Sequence, residues 1–386
     1  MRTGIATIPL DYGRCPSWLF ERMKRLSRGI VSAIIEEFGS EELLKRLSDP
    51  VWFQSLGCVI GFDWNSSGLT TITLGALKEG IRCLESELGL FICGGKGKTS
   101  RKTPEQIQNW GEFLKLPMEE IDKLVYASKI SAKVDNNALQ DGFQLYHHNL
   151  IFSRNGLWTV IQQGMNENTS RARRYHWLSS NLKQTQGKID FIEEPHSGII
   201  SGQKVRPLNL TAKESNQNRE ISTGLVKEEP KSFLKDFKMI LNKSDKSLIT
   251  KQKLGNFTII ELYNKEFCWH PVLKEKFDLK RLEKTIFLAN EQNPHDFEQL
   301  LSLKGVGPKT IRALSLVSEI IYGAKPSYED PARYSFSVGG KDGTPYPVDR
   351  KTYDKTLAVM EKGIKRSKIT IREKTEAQKR LKAVIL

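Results

Sequence analysis

The sequence has little cysteine and no long apolar run. None of its apolar stretches approaches the roughly twenty residues that cross a bilayer, and the opening residues lack the pattern of a signal peptide. The five cysteines are scattered, odd in number and without CxxC spacing, which argues against a disulfide framework and a zinc finger. These absences predict reduced, mostly buried thiols in a cytoplasmic protein that has no membrane segment.

Acidic residues are scarce relative to basic ones. The chain has 60 Lys and Arg against 45 Asp and Glu, which gives a net charge of +15 and a pI of about 9.4. This balance favours a polyanionic partner, with nucleic acid ahead of a membrane surface. The contents of 38% apolar and 27% charged residues are those of a globular protein, and 386 residues suffice for two or three domains.

The clearest motif is LKGVGPKT at residues 303–310, which has the pattern of a helix-hairpin-helix element. Its two glycines permit a tight turn, and Pro308 suits the first position of the following helix. Such a turn presents backbone N–H groups at a helix N-terminus, where they suit a phosphate oxygen, and a lysine adds positive charge. The predicted DNA contacts in this turn are Gly305, Gly307, Lys309 and Thr310.

Two further segments are predicted to contact nucleic acid. Residues 94–103 are rich in glycine and lysine, but their spacing does not match a Walker A motif, so no nucleotide hydrolysis is inferred. Residues 171–177 place three arginines beside aromatic residues, a combination that can fix phosphates and stack on bases. The predicted contacts are Lys96, Lys98, Arg101, Arg171, Arg173 and Arg174.

A polar stretch at residues 133–148 concentrates carboxylates, amides and a histidine pair, and this composition favours a metal-dependent nuclease. Phosphodiester hydrolysis commonly uses a hard cation, Mg²⁺ or Mn²⁺, held by carboxylates. Asp135, Asp141 and His147 are the predicted ligands, and the histidines at 147 and 148 are also candidates for a general base. The remaining predicted catalytic residues, which would position phosphate, are Lys133, Gln144 and Gln163.

The hydrophobic patterns predict an α+β protein with a mixed α/β domain at its N-terminus, followed by a mainly helical domain. The predicted boundaries are a catalytic domain at 1–200, a polar linker at 201–232, a helical DNA-binding domain at 233–366 and a basic tail at 367–386. Within the first domain, residues 51–53 and 58–64 are predicted to be buried strands, and Asn155-Gly156 predicts a hairpin turn.

The stretch at residues 303–310 resembles the hairpin of the endonuclease III superfamily of base-excision glycosylases. In bifunctional members a lysine follows Gly-Val-Gly-x and forms a Schiff base, so the resemblance implies this role for Lys309 and an aspartate role for Asp349. The forty residues between them exceed the spacing of that family, and its cluster cysteines are absent. A glycosylase with lyase activity is therefore the second functional hypothesis.

The whole chain also resembles an uncharacterised prokaryotic family catalogued as domain of unknown function 763. Residues 61–78, 94–104, 141–148 and 158–166 carry this resemblance. It implies a DNA-related prokaryotic protein, with nuclease activity as a suggestion, and assigns no active site. A non-enzymatic DNA-binding protein is the third hypothesis, and the sequence leaves a homo-oligomer open.

Overall fold

The computed structural model describes residues 8–10, 13, 15–62, 66–185, 187–244, 249–254, 257–262, 276–332, 358, 360–367 and 369–385. Over these ranges the chain is α+β, as predicted, with one five-stranded sheet and helices on both of its faces. In the same ranges we find no helix with the length and apolar character required to cross a membrane.

Five helices precede the first strand of the sheet, and the other described helices follow it. The first group is α1 (Ser17–Phe38), α2 (Ser40–Ser48), α3 (Pro50–Ile60), α4 (Ser67–Gly80) and α5 (Glu85–Leu88). The second is α6 (Thr103–Phe113), α7 (Met118–Lys133), α8 (Asn216–Lys227), α9 (Pro230–Ser244), α10 (Leu279–Gln292), α11 (Phe297–Ser302), α12 (Pro308–Ile320) and α13 (Ile371–Ile385). Residues 360–366 are also helical.

The five-stranded sheet has the order β1-β3-β4-β5-β8, and every neighbouring pair is antiparallel. Its strands are β1 (Leu90–Lys96), β3 (Gln144–Ser153), β4 (Trp158–Asn166), β5 (Arg171–Leu178) and β8 (His196–Ser201). Short pairs join β2 (Leu139–Gln140) to β9 (Leu208–Asn209), β6 (Gln184–Thr185) to β7 (Lys188–Ile189), and β10 (Ile249–Leu254) to β11 (Phe257–Leu262). The predicted hairpin turn lies between β3 and β4, where Gly156 has a φ of +85°.

The sheet lies between two hydrophobic cores because both of its faces are covered by helices. Leu150 and Phe152 contribute to the first core, with α6, α7 and α8 to α12, whereas Ile151 contributes to the second core, with α1 to α4 and α13. This alternation follows from the two-residue period of a strand. It explains why β3 and β4 carry nearly continuous apolar runs.

The prediction of strands at residues 51–53 and 58–64 was wrong for residues 51–53 and 58–60, which belong to helix α3, while residues 63 and 64 lie outside the described residues. Asp49 caps the helix by accepting hydrogen bonds from the backbone N–H groups of Val51 and Trp52, and Pro50 occupies the first position. Ten of the eleven residues of α3 are buried, so the helix has no polar face to give a 3.6-residue pattern.

The segment predicted to be a polar linker at 201–232 is part of the folded core. Helix α8 places Leu225 and Val226 in the first core, and Asn218 donates hydrogen bonds to the carbonyl oxygens of Ser315 and Ala324. This core combines residues on both sides of position 200, from Phe91 to Val317. The segment is low in apolar residues because many of its polar side chains make hydrogen bonds inside the protein.

The basic tail is also ordered where it is described. Helix α13 contributes Ala377 and Leu381 to the second core, and Arg380 donates a hydrogen bond to the carbonyl oxygen of Val59 at 3.2 Å. The helix is amphipathic, so its charged residues form an exposed face while the apolar residues pack against the protein.

Candidate functional site

Residues 303–307 form a tight turn between α11 and α12, as the glycine pattern predicts. Gly305 has a φ of +94°, which glycine adopts at low cost, and the side chain of Val306 is buried beneath the turn. A Cβ added to Gly305 or Gly307 would meet no atom within 4 Å, so the outer side of the turn is open to a ligand. Since α12 begins at Pro308, the N–H groups of its first turn have no partner within the helix.

Lys133, at the end of α7, anchors the inner side of this turn. Its ammonium donates hydrogen bonds to the carbonyl oxygens of Leu303 at 2.7 Å and Val306 at 3.3 Å. The Nε2 of Gln140 donates to the carbonyl oxygen of Pro308 at 2.8 Å. Burial lowers the pKa of Lys133. The carbonyl groups of Leu303, Val306 and Pro308 are thus bonded to side chains of the protein, while the two glycines are exposed or half-exposed.

A cleft of about 580 Å³ lies beside the turn. Three cationic side chains and one serine–histidine pair line it, together with apolar groups and a serine that ends α11. The lining residues that matter below are Arg101, Ser128, Lys129, Lys133 and His148. Because Lys133 both lines the cleft and binds the turn, the two features are adjacent.

A chain of hydrogen bonds runs from the cleft into the protein through three elements. The Oγ of Ser128 on α7 lies 2.9 Å from Nε2 of His148 on β3, and Nδ1 of His148 lies 2.7 Å from Oε1 of Gln162 on β4. The Nε2 of Gln162 donates to the carbonyl oxygen of Ser131 at 3.1 Å and to Oδ2 of Asp135 at 2.5 Å. All five residues are buried.

Asp135 is the inner end of this chain and has no open coordination position. It lies in a π-helical turn (Val134–Ala138) that continues α7, a feature that often marks functional sites. Besides Gln162, its carboxylate accepts a hydrogen bond from Nε1 of Trp177 at 3.0 Å and makes a short contact with Nε2 of His196. The carboxylate therefore holds neighbouring side chains in place and does not face the cleft.

The two adjacent histidines face opposite sides of the sheet. His148 is paired across the strands with Gln162, whereas His147 is paired with Gln163. Gln163 donates to the carbonyl oxygen of Ser67 at 2.9 Å and to Oη of Tyr146 at 2.5 Å, contacts that lie on the face away from α7. Burial, followed by the charge of His148, lowers the pKa of His147 to about 3, and neither ring nitrogen makes a hydrogen bond with the described residues. Burial also lowers the pKa of His148.

The predicted ligand set does not converge, which corrects the metal site expected from the sequence. Asp141 accepts hydrogen bonds from Arg173 at 2.9 Å and from Tyr175 at 2.8 Å, while Asp135 binds a different group of side chains and His147 faces the other side of the sheet. Among the residues that the structure describes, no three His, Cys, Asp or Glu side chains are placed to hold one ion.

The predicted phosphate-positioning residues also have other roles. Gln163 is buried and bonded within the protein, Lys133 binds the turn, and Gln144 is exposed at the beginning of β3. None of them contacts another predicted catalytic residue through a hydrogen bond.

The arginines of β5 do not form the predicted nucleic-acid surface. The guanidinium of Arg173 is buried and bonded to Asp141 and Asp330, and that of Arg174 is buried and bonded to Thr70, Gln54 and His176. Strand formation buries the side chains of Arg173 and Arg174, and of the three only Arg171, at the beginning of the strand, is half-exposed. 

The basic residues of the segment after β1 remain accessible. Lys96, Lys98 and Arg101 are exposed, and Gly97–Lys102 forms a 3₁₀ turn rather than an irregular loop. Arg101 lines the cleft, whereas the ammonium of Lys96 lies 5.8 Å from the ring centre of Tyr146.

Lys309 lies on the surface, at the beginning of α12. Its ammonium donates to the carbonyl oxygen of Lys276 at 2.8 Å, and the neighbouring Thr310 is buried. Asp349, the second residue of the lyase hypothesis, lies outside the described residues. No contact in the described part of the chain therefore pairs Lys309 with a carboxylate at this site.

Ser128, Gln162 and His196 belong to the hydrogen-bonded chain and were missed as site residues by the sequence analysis. Ser128 and Ser131 precede Asp135 by seven and four positions, so they lie on one face of a helix that is otherwise apolar there. A buried glutamine in the apolar run of β4 was the second available signal. His196 follows a polar turn and gave no signal that distinguishes it from an ordinary surface histidine.

The comparisons with known proteins give one match. The model of a family described as "Protein of unknown function (DUF763)" matches residues 4–348. No curated protein and no solved structure matches the chain. The resemblance of residues 303–310 to the endonuclease III superfamily is accordingly not supported by these comparisons.

Proposed function

The chain belongs to the DUF763 family of proteins of unknown function, and from its own residues we propose that it binds the sugar-phosphate backbone of DNA and processes the strand in the adjacent cleft. The turn at residues 303–307 and the first turn of α12 bind a backbone phosphate. The cleft next to this turn receives the neighbouring nucleotides, and phosphodiester hydrolysis is the reaction.

The observation that carries this proposal is the open outer side of the turn. A phosphate oxygen can approach the backbone N–H groups only where no side chain intervenes, and both glycines leave this space free. Lys304 and Lys309 are exposed on the same turn and add positive charge. The inner carbonyl groups are bonded to Lys133 and Gln140, so the turn is held in its conformation before a ligand arrives.

The charge of the cleft supports its role in the same process. Arg101, Lys129 and Lys133 line it, and in a chain of net charge +15 they favour a polyanion. Contacts with phosphate carry no sequence information by themselves, so binding should depend little on sequence and weaken steeply with salt.

The test is the affinity for a labelled DNA duplex and for the matching single strand, measured by fluorescence anisotropy. The salt concentration is varied between about 50 and 300 mM, because phosphate contacts weaken strongly over a range of this order. Gly307→Ala should weaken binding about tenfold, because its methyl group blocks one charge-assisted hydrogen bond. Gly307 has a φ of −127° and open space around it, so this substitution should leave the fold intact.

Gly224→Ala is the matched control, because Gly224 also has open space but lies in α8. Equal affinities of Gly307→Ala, Gly224→Ala and the unaltered protein would contradict the proposal, as would salt-independent binding. Incubating bound DNA with Mg²⁺, with Mn²⁺ and with EDTA then separates hydrolysis from binding alone. An intact strand under all three conditions would contradict the hydrolytic part and leave a binding protein.

A further inference from the structure

We infer that Ser128 is a nucleophile activated by His148, which cleaves the phosphodiester through a covalent phosphoserine without a metal ion. This inference rests on the proposed binding of DNA and names the reaction of the cleft. The inference is based on the pair of Ser128 and His148 in the wall of the cleft, where Oγ of the serine lies 2.9 Å from Nε2 of the histidine. A nucleophile and its base within hydrogen-bond reach, with the base held by a third group, is the general arrangement for such catalysis.

The direction of each hydrogen bond in the chain can be assigned. The Nε2 of Gln162 contacts a backbone carbonyl and a carboxylate, both of which only accept, so this atom is the amide nitrogen and Oε1 faces His148. Nδ1 of His148 must therefore carry the proton, and burial keeps the ring neutral. Nε2 is then unprotonated and accepts the hydroxyl proton of Ser128.

Gln162 and Asp135 are positioning residues in this arrangement. Gln162 fixes the tautomer of His148, and Asp135 fixes Gln162 through its 2.5 Å hydrogen bond. Trp177 and His196 in turn hold the carboxylate. The base is thus oriented by an amide, which is neutral, rather than directly by a carboxylate.

The surroundings of Ser128 favour a phosphoester over a carboxylic ester. Acyl transfer requires donors, commonly backbone N–H groups, around the developing oxyanion. Ser128 lies inside α7, where the N–H groups near it are used by the helix itself. Cationic side chains instead stabilise the charge that spreads over phosphate oxygens, and Arg101, Lys129 and Lys133 line the cleft.

The first step forms a bond between Oγ of Ser128 and phosphorus while the bond from phosphorus to the leaving deoxyribose oxygen breaks. The hydroxyl proton moves to Nε2 of His148, and the leaving oxygen takes a proton from the ammonium of Lys133, which lines the cleft and carries one proton beyond the two that it donates to Leu303 and Val306. In the second step water attacks phosphorus and gives its proton to Lys133. The bond to Oγ breaks, and His148 returns the proton to Ser128.

The experiment uses the full chain with a fluorescently labelled DNA strand in EDTA. The unaltered protein should cleave the strand and, after rapid acid quenching, give a DNA adduct that migrates with the protein on a denaturing gel. Ser128→Ala should abolish the adduct and reduce cleavage by a factor on the order of 10⁶, the size of loss found when the nucleophile of a serine–histidine pair is removed. Its affinity for DNA should not change.

Ser86→Ala is the control, because Ser86 is exposed on α5 and is not among the residues that line the cleft. It should cleave and form the adduct at the unaltered rate. Ser128→Cys provides a second variant of nearly equal volume, in which the adduct should become a thiophosphate ester that is labile to iodine.

The outcomes separate this inference from the proposed function. Full binding with cleavage that survives in Ser128→Ala, or with no cleavage and no adduct in EDTA, overturns the nucleophile and leaves DNA binding intact. If Gly307→Ala loses affinity for DNA while its Ser128 still forms the adduct with short oligonucleotides, the proposed function and this inference are both supported. If the protein does not bind DNA at all, the proposed function is wrong, and the absence of any adduct would then overturn this inference as well.

Discussion

At the scale of single residues, two adjacent histidines show how position decides chemistry. Both histidines are among the residues that line the cleft, but His148 has partners on both ring nitrogens, whereas the ring nitrogens of His147 lack hydrogen bonds in the described structure. Strand geometry alone separates them, because neighbouring side chains face opposite sides of the sheet. In the reaction that we infer, the first takes part in proton transfer, and the second is a neutral group that burial makes sensitive to acid.

His147 predicts a loss of stability at acidic pH. Because burial lowers its pKa to about 3, the unfolded chain binds one more proton than the folded protein between about pH 6.5 and pH 3. Stability is therefore complete above this window and decreases as the pH falls through it, by about 1.4 kcal/mol per pH unit for this histidine. Denaturant unfolding at a series of pH values measures the slope.

His147→Phe should remove this part of the slope, since phenylalanine does not titrate. Identical pH dependence in the unaltered protein and His147→Phe would refute the assignment of a buried, neutral imidazole at this position.

The polar network was only partly predictable from residue types. The stretch at 133–148 was predicted to hold the catalytic residues, and its Asp135 and His148 belong to one hydrogen-bond network, yet the three predicted metal ligands do not lie together. Carboxylates indicate a site for a hard cation only when their oxygens are available to it. Here hydrogen-bond donors of the protein itself bind the carboxylates of Asp141 and Asp135. Sequence spacing did not indicate that Gln162, on another strand, would bridge the two residues.

At the scale of elements, amphipathic helices were predictable and fully buried ones were not. The turn at 303–307 was predicted because glycine and proline have specific backbone preferences there. Helix α3 was missed because it is apolar on all sides, and such a run cannot be distinguished from a strand by periodicity. The Asp49-Pro50 pair was the available signal for a helix start.

Helix α13 predicts that the basic C-terminal segment contributes to stability. Leu381→Ala removes a buried side chain from the second core and should reduce the free energy of unfolding by about 2–5 kcal/mol. Ile371 lies on the same helix with 85% of its surface exposed, so Ile371→Ala should change the free energy of unfolding by less than about 0.5 kcal/mol. Equal unfolding midpoints for the two variants in urea would show that α13 does not pack on the protein.

At the scale of the whole molecule, the first core joins segments that the sequence assigned to separate domains. Composition suggested a linker at 201–232, because its apolar residues are few and its helix α8 satisfies many polar groups internally. What composition could not reveal is that Leu225 and Val226 lie in one core with Phe91 and Phe152. The overall α+β class was predictable, but the division of the chain was not.

This shared core predicts that a substitution in α8 destabilises the part of the chain before residue 200. Leu225→Ala should lower the midpoint of the unfolding transition that tryptophan emission reports, with a loss of about 2–5 kcal/mol. Six of the seven tryptophans precede residue 200, so this signal reports mainly on that part. A tryptophan transition that is unchanged in Leu225→Ala would show that the two parts unfold independently.

The most direct test of the central claim is amide hydrogen exchange of residues 303–312, measured by mass spectrometry with and without a saturating DNA strand. If backbone N–H groups of the turn bind phosphate, exchange in this peptide should slow about tenfold or more on DNA binding. The protection should be smaller in Gly307→Ala, in which one of these hydrogen bonds is blocked. Exchange that stays unchanged at residues 303–312, while DNA is demonstrably bound, would contradict the account.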